Sequence, residues 1–156
     1  MTETKWKIRD AIPEDAATVT AFNLACAEES EGMKLDTGRL RAGVEAVLAD
    51  AGRGRYFLAE DERGVAGQVM ITFEWSDWRN AWVWWLQSVY VRPDVRRAGV
   101  FSALMQHVET EARRAAIPLV RLYVEHDNEV AERTYRANGF EAAPYRLLRK
   151  ALGSDA

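Results

Sequence analysis

Residues 89–104 read VYVRPDVRRAGVFSAL, and this stretch decides which fold the chain is expected to adopt. It begins as a β-branched and aromatic strand, turns at Pro93, and continues through a loop that contains arginine and glycine. From Gly99 onward, apolar residues recur at helical spacing. The N–H groups at the start of such a helix point outward and suit an anion such as a pyrophosphate. The alternative is a plain strand-to-helix connection in which glycine permits tight packing.

Outward from this stretch, hydrophobic periodicity and turn residues divide the chain into strands and helices. Strands are predicted at Lys5–Asp10, Arg55–Glu60, Val65–Trp75, Ala81–Val91, Leu119–Val124 and Phe140–Arg149, the last interrupted by Pro144. Helices are predicted from Pro13 to about Glu29 with Asp10 as a cap, at Leu40–Leu48, at Gly99–Ala116 and at Asn128–Asn138. No repeat or linker is visible, so we predict a single α/β domain over residues 1–156 with a loose end from Gly153.

Composition narrows the classes of function. The 156 residues are 48% apolar and 29% charged, as in ordinary soluble globular proteins. A net charge of -3 argues against nucleic acid as a partner, although a local patch of Arg92, Arg96 and Arg97 is kept as a minor alternative. The single cysteine, Cys26, excludes an intrachain disulfide and fits a reducing compartment. Without a signal-peptide core or a long apolar run, a cytoplasmic protein with no membrane contact is expected.

A second motif, NEVAERTYRANGF at residues 128–140, follows a predicted strand. Together the two motifs resemble those of the GNAT N-acetyltransferases, which carry R/Q-x-x-G-x-G/A at the cofactor helix and N-x-x-A-x-x-x-Y-x-x-x-G-F downstream. The matching residues here are Arg96, Gly99, Asn128, Ala131, Tyr135, Gly139 and Phe140. The start of the chain, with IRDA at residues 8–11 followed by Glu14 and Asp15, looks like the family's first strand and helix cap. The resemblance therefore covers nearly the whole chain.

The resemblance implies a mixed, mostly antiparallel central sheet flanked by helices, with acetyl-CoA bound where the fourth and fifth strands separate. The backbone of Val89, Tyr90 and Val91 would pair with the pantetheine arm, and the Val89 N–H would polarise the thioester carbonyl. Asn128 and Ala131 would lie beside the cofactor arm. The expected pyrophosphate loop consists of Arg96, Arg97, Ala98, Gly99, Val100, Phe101 and Ser102.

Acetyl transfer to an amine needs a neutral amine, a stabilised oxyanion and a proton donor for the leaving thiolate. The resemblance implies that Tyr135 lies near the thioester sulfur, and a phenol with a pKa of about 10 suits the donor. The alternative for Tyr135 is an aromatic on the buried face of a helix. Gln87 stands where many relatives place a glutamate base, and glutamine cannot take a proton. We favour Glu74 as the proton acceptor, reached through water, over Asp77 and Glu125 or a purely solvated charge.

The acceptor side is less well defined by the sequence. Residues 73–85 contain five of the six tryptophans, and aromatic rings beside acids suit a cationic amine. We predict that Trp75 and Trp78, with Gln87, bind the acceptor, whereas most of Trp82, Trp84 and Trp85 are sheet packing. The run EWSDWRN at residues 74–80 looks like a feature of a bacterial GNAT subgroup and names no substrate.

These residues predict an N-acetyltransferase in which a small-molecule primary amine attacks acetyl-CoA directly in a ternary complex, with a peptide or protein amine as the second choice. The alternative is a non-catalytic acyl-CoA-binding module, because Phe101 replaces the motif's second small residue and Gln87 replaces the base. His107 and His126 lack partners at metal-ligand spacing and are expected at the surface, so no metal is expected. A homodimer is left open.

Overall fold

The computed structural model describes residues 5–153 of the chain. Contacts within these residues form two compact units, one up to Glu125 and the other from His126. Each unit is described by itself below, and the single domain over residues 1–156 stays a prediction. Residues 154–156, part of the predicted loose end, lie outside the described residues.

A five-stranded sheet forms the centre of the first unit. Its strands are β1 (Lys7–Asp10), β2 (Arg55–Asp61), β3 (Gly64–Ser76), β4 (Ala81–Val91) and β5 (Val120–Leu122). They lie in the order β1-β2-β3-β4-β5, with antiparallel pairing everywhere except between β4 and β5, which are parallel. The predicted mixed, mostly antiparallel sheet is therefore confirmed.

Helices cover both faces of this sheet. They are α1 (Ala16–Glu31), preceded by a 3-10 turn at Pro13–Asp15, α2 (Thr37–Ala49) and α3 (Val100–Arg114). The first two helices bury Val19 and Val44 against Tyr56 and Leu58 of β2. Phe57 points to the opposite face because side chains alternate along a strand, and there its ring meets His107 of α3. Both faces of β2 are consequently buried, as the apolar run in its sequence requires.

The entry into α1 differs from the prediction that Asp10 caps it. The Asp15 carboxylate accepts the Ile12 N–H at 2.7 Å and two N–H groups of Arg9 at 2.8 and 2.9 Å. The guanidinium of Arg9 lowers the pKa of the Asp15 carboxyl. Asp10 instead pairs with Arg55 across β1 and β2. Asp10 lies on the strand itself, three residues before the turn begins at Pro13, and therefore cannot accept from the first helical N–H groups.

The second unit contains α4 (Glu129–Ala137), which confirms the predicted helix within one residue at each end. The predicted strand at Phe140–Arg149 is wrong, because the structure gives residues 140–149 no strand pairing. Pro144 has no N–H to donate to a neighbouring strand, and the side chains of Tyr145 and Leu148 are exposed. A segment with strand-like composition forms a strand only where a partner strand satisfies its backbone N–H and C=O groups.

Candidate active site

The loop between β4 and α3 joins the strand to the helix in the order that its sequence predicts. Arg97 and Gly99 have φ angles of 64° and 84°, both left-handed, so the chain turns sharply before the helix. Ala103 is the donor that closes the first turn, onto the carbonyl of Gly99 at 3.0 Å. The N–H groups of Val100 and Phe101 therefore precede the first intrahelical bond and are directed out of the helix start. A Cβ added at Gly99 would meet no atom within 4 Å, so the start of the helix is open at this residue.

Side chains from distant parts of the first unit hold this loop in place. The indole of Trp6 donates to the carbonyl of Ala98 at 2.8 Å. Arg96 donates to Glu29 of α1 at 2.6 Å and to the carbonyl of Val91 at 3.1 Å. Arg96 therefore already binds protein groups that tie the loop to α1 and β4, in addition to any contact with a phosphate. Sequence reasoning missed Trp6 and Glu29, because nothing near them in the chain indicates a partner about 70 or more residues away.

Gly67 of β3 lies directly beneath the start of α3. A Cβ at this position would come within 2.9 Å of the Tyr90 carbonyl oxygen and 2.9 Å of a methyl carbon of Val100. Only glycine lets β4 and the first residue of α3 approach β3 this closely. A glycine inside a predicted strand is the sequence signal of such a close approach.

The outer edge of β4 is where the strand becomes available to a ligand. Pairing with β5 ends at Leu86 and Leu122, so among the described residues no strand pairs with residues 87–91 on that edge. Toward β3, the register shifts between Gln68 and Met70, and Ser88 adopts a left-handed φ of 49°. Such a bulge bends the strand and turns backbone groups away from the ladder. An extended ligand can pair with this free edge like an added strand.

A buried polar network lies behind the bulge and was also missed. The side-chain amide of Gln68, fully buried, donates to the Ser88 carbonyl at 3.1 Å and to the Asn23 side-chain oxygen at 3.2 Å. Asn23 in turn donates to the Tyr56 hydroxyl at 3.0 Å. The thiol of Cys26 lies 3.5 Å from the Val89 carbonyl. A glutamine in the middle of an apolar strand was the signal, since a buried amide needs partners.

Gln87 and Glu74 lie on the same face of the sheet but at different distances from the bulge. Gln87 pairs in register with Met70, and its amide lies 3.5 Å from the Thr72 hydroxyl. Glu74 is opposite Val83 and accepts from Arg121 at 2.7 Å. Val83 and Val89 are six residues apart along β4, or roughly 20 Å at the usual rise per residue. A proton would thus pass from the bulge to Glu74 only through several water molecules.

Trp75 and Trp78 are not brought to Gln87. Trp75 pairs in register with Trp82, and their rings meet edge to face at 5.3 Å on the face of the sheet opposite to Gln87. Trp78 lies at the tip of the hairpin between β3 and β4 and is 91% exposed. Trp82, the partner of Trp75, lies an odd number of residues from Gln87 along β4, so the two face opposite sides of the sheet. The prediction that Trp75 and Trp78 bind the acceptor with Gln87 therefore has no support in the geometry.

In the second unit, the residues of the downstream motif have local roles. The side-chain oxygen of Asn128 accepts the N–H of Ala131 at 3.1 Å and so caps α4. The rings of Tyr135 and Phe140 meet edge to face at 5.7 Å. This contact holds the Tyr135 ring on α4, with the residue partly exposed.

The remaining titratable groups are buried to different degrees. Burial raises the pKa of the Cys26 thiol, as expected for a cysteine packed in the first helix. His107 is half-buried against Phe57 and not at the surface as predicted, and burial lowers its pKa. Within residues 5–153, no group of three His, Cys, Asp or Glu side chains is arranged to hold a metal ion. In the same range, no helix has the length and apolar character needed to cross a membrane.

Comparison with known proteins gives three results. The profile of the acetyltransferase (GNAT) family matches residues 22–140. The chain is 28% identical over 143 residues to an aminoalkylphosphonate N-acetyltransferase of Salmonella typhimurium strain LT2, which covers 92% of this chain and 90% of that protein. A crystal structure from Clostridium difficile 630, described as a possible acetyltransferase, is 36% identical with a TM-score of 0.89 and covers 94% of this chain and 97% of that one.

A more distant structure extends the likeness of fold. A predicted acetyltransferase of Clostridium acetobutylicum, crystallised with acetyl-CoA, has a TM-score of 0.78 at 16% identity, covering 93% of this chain and 96% of that one. At this identity the likeness shows the fold alone.

Proposed function

Since the chain belongs to the acetyltransferase (GNAT) family, we propose that it transfers the acetyl group of acetyl-CoA to the primary amine of a small molecule. Two features of the first unit together carry the proposal. The outer edge of β4 has no partner strand beyond Leu86 among the described residues, and the start of α3 is open at Gly99. The Salmonella relative, named for an aminoalkylphosphonate acceptor, supports a small amine as the acceptor class. A peptide or protein amine is the second choice.

The residues of the first unit fit acetyl-CoA. A diphosphate suits the start of α3, because the first N–H groups of a helix have no acceptor within the helix and lie at the positive end of its dipole. The open space beside Gly99, where an added Cβ would meet no atom within 4 Å, supports placing the phosphates there. Backbone groups of residues 89–91, on the unpaired edge of β4, would bind the pantetheine amides. We propose that Arg97 and Ser102 add contacts at the loop and that Asn128 and Ala131 border the cofactor arm.

Acetyl-CoA supplies an activated thioester, and the chain's own residues orient it and move protons. The Val89 N–H at the bulge would polarise the carbonyl oxygen, which gains negative charge as the amine attacks directly in a ternary complex. The Tyr135 hydroxyl would donate a proton to the departing sulfur. Gln87 would hold the amine by hydrogen bonding, and the amine's proton would leave through water, with Glu74 as the proposed acceptor on that face.

Thiol release tests this proposal. The purified protein is mixed with acetyl-CoA and a panel of amines, and free CoA is followed with a thiol reagent. We expect turnover with at least one amine, and Tyr135→Phe should lower kcat by about 100-fold or more while the KM for acetyl-CoA changes little. Tyr145→Phe is the matched control, because Tyr145 is a 76% exposed tyrosine of the same unit outside the proposed site.

The panel also separates the proposal from its alternative, a non-catalytic acyl-CoA-binding module. The glutamine at position 87 favours the alternative, because glutamine cannot act as a base. A module would bind CoA in calorimetry and release no thiol with any amine. Equal loss of rate in Tyr135→Phe and Tyr145→Phe would show that Tyr135 has no special part in proton transfer.

A further inference from the structure

One face of the sheet carries a row of polar and aromatic side chains. The row lies along the strands from the point where α1 contacts Val89 and Tyr90. Across the sheet, Trp85 of β4 pairs in register with Thr72 on one side and with Arg121 on the other. Paired residues share a face, and residues two apart along a strand return to it. This face gathers the group that we call the shelf: Thr72, Glu74, Trp85, Gln87, Arg121 and Tyr123.

The side chains of the shelf hold one guanidinium in a fixed position. The rings of Trp85 and Tyr123 stack with their centres 4.6 Å apart. The guanidinium carbon of Arg121 lies 5.6 Å from the centre of the Trp85 ring. One of its N–H groups donates to the Glu74 carboxylate at 2.7 Å. Arg121 is thus oriented by an aromatic plane on one side and a carboxylate on another.

The shelf is accessible to solutes. The Tyr123 residue is 52% exposed, and the side chains of Glu74 and Arg121 are 48% and 27% exposed. An ion pair at such a surface adds little to stability, so stability does not account for a guanidinium held in this way. A guanidinium has five N–H donors, and the contact with Glu74 uses one. The others suit a carboxylate, phosphate or phosphonate, which a planar guanidinium binds with paired hydrogen bonds.

The shelf also lies on the path from the reacting centre. Gln87 is two residues and Trp85 four residues from Val89 along β4, or roughly 7 and 13 Å at the usual rise per residue. An acceptor whose amine lies near Gln87 would therefore extend its other end over Trp85 toward Arg121. The spacing calls for a short chain between an amine at one end and an anionic group at the other.

We propose that the shelf is an acceptor subsite in which Arg121 binds the anionic group of an amine that also carries a carboxylate, phosphate or phosphonate. This inference rests on the proposed function, which places the thioester carbonyl at Val89. Arg121 acts as a specificity-determining residue and takes no part in proton transfer. Trp85 and Tyr123 form the apolar wall along which the chain of the acceptor lies.

Binding of matched ligand pairs tests the subsite. Calorimetry compares β-alanine, γ-aminobutyrate and ε-aminocaproate, each with the amino alcohol of the same chain length, and aminoethylphosphonate with ethanolamine. We expect the anionic member of at least one pair to bind about tenfold more tightly or better, as a charge-assisted hydrogen bond to Arg121 provides. In Arg121→Gln this preference should fall to about one, since glutamine keeps polarity but loses the charge.

Glu74→Gln is the matched control for folding and for the ion pair. Both variants remove the ion pair between Glu74 and Arg121, but only Arg121→Gln removes the guanidinium. Glu74→Gln should therefore keep or increase the preference for the anionic ligand, with far-ultraviolet circular dichroism melts showing that both variants fold. Equal binding of both members of every pair, retention of the preference in Arg121→Gln, or its loss in both variants would each overturn the subsite.

Thiol release with the same ligands separates the subsite from the proposed function. Anionic amines that bind in an Arg121-dependent way without releasing CoA would leave the subsite in place and contradict acetyl transfer. Acetylation of the amino alcohols with the same KM as their anionic partners would support acetyl transfer and contradict the subsite.

Discussion

At the scale of single residues, the least expected feature is the amide of Gln68, buried in the core of the sheet. It bonds to Asn23 on α1 and to the carbonyl of Ser88 at the bulge of β4, while its own side-chain oxygen has no hydrogen-bond partner among the described residues. A buried amide is costly unless it is bonded, so the strand keeps glutamine for a geometric purpose. The network holds the bulge against α1 and thereby sets the direction of the Val89 backbone.

The Gln68 network predicts coupled effects of substitution. Gln68→Met keeps the volume but leaves the Ser88 carbonyl and the Asn23 oxygen without their donor, which should lower the free energy of unfolding by about 1–3 kcal/mol. Asn23→Ala should cost a similar amount, and the double variant should cost less than the sum by about 0.5 kcal/mol or more. Urea denaturation measures all three.

Thr20→Val is the control for this cycle. Thr20 is buried on the same helix, but its hydroxyl bonds to the Ala16 carbonyl, away from Gln68. Its effect should add to that of Gln68→Met. Full additivity of Asn23→Ala with Gln68→Met would mean that the two amides do not act as a unit.

His107 predicts a pH dependence of stability. Burial against Phe57 lowers its pKa in the folded state, so the unfolded chain takes up a proton at higher pH than the folded one. The free energy of unfolding should therefore be undiminished above the ordinary histidine pKa of about 6.5 and should fall as the pH drops through it. Urea denaturation between about pH 7.5 and 5.5 measures this slope.

His107→Leu should remove most of that slope, because leucine fits beside Phe57 and does not titrate. His126→Gln, at the other and exposed histidine, should keep it. The same slope in His107→Leu as in the unchanged protein would assign the pH dependence to other groups.

At the scale of elements, the start of α3 is positioned by its close approach to β3. Gly67 has no side chain at the point where the Tyr90 carbonyl and Val100 converge. The approach fixes the distance of the α3 start from the sheet and the position of the end of β4. The α3 start and the end of β4 are the two parts of the proposed acetyl-CoA site. A change at Gly67 should consequently affect stability and cofactor affinity together.

Gly67→Ala should lower the free energy of unfolding by about 1–3 kcal/mol, because its Cβ must displace backbone or helix atoms. It should also weaken acetyl-CoA binding in calorimetry. Gly43→Ala is the matched control, since Gly43 lies inside α2 with nothing within 4 Å of an added Cβ. That change should instead stabilise the protein by about 0.5–1 kcal/mol. Stabilisation by both changes would contradict the close approach.

At the scale of the whole molecule, binding of acetyl-CoA should appear as a shift in thermal unfolding, because a ligand that binds only the folded state stabilises it. At a concentration 100 times its Kd, acetyl-CoA adds about 2.7 kcal/mol. For a chain of this length this corresponds to roughly 5–10 °C in the transition that includes α3. Differential scanning fluorimetry with and without acetyl-CoA measures the shift.

Gly99→Glu should abolish this shift, because its carboxylate occupies the space in front of the α3 N–H groups and repels phosphate. Gly99→Ala is the control, since it carries the same strain at a φ of 84° without charge or bulk. It should lower the melting temperature of the free protein but keep most of the shift. A full shift in Gly99→Glu would place the phosphates elsewhere.

The elements could be predicted from the sequence to a large extent, because they depend on local causes. A run of aromatic and β-branched residues identified β4 over the same residues that the structure gives, and Gly99 marked the start of α3. The two motifs indicated the family, and the profile match to residues 22–140 confirmed it. The strand predicted at Phe140–Arg149 failed because a strand exists only with a partner, and a local pattern does not supply one.

The geometry of the site depended on contacts between residues far apart in the chain. The ties of Trp6 to Ala98 and of Glu29 to Arg96 join segments 92 and 67 residues apart. Register alone decided that Trp75 faces away from Gln87, since a strand turns alternate residues to opposite faces. Local propensity and motif chemistry thus determined the elements, the loop and the family. Only tertiary pairing decided which side chains meet, because a residue such as Gly67 or Gln68 signals that a close partner exists but does not say which distant segment supplies it.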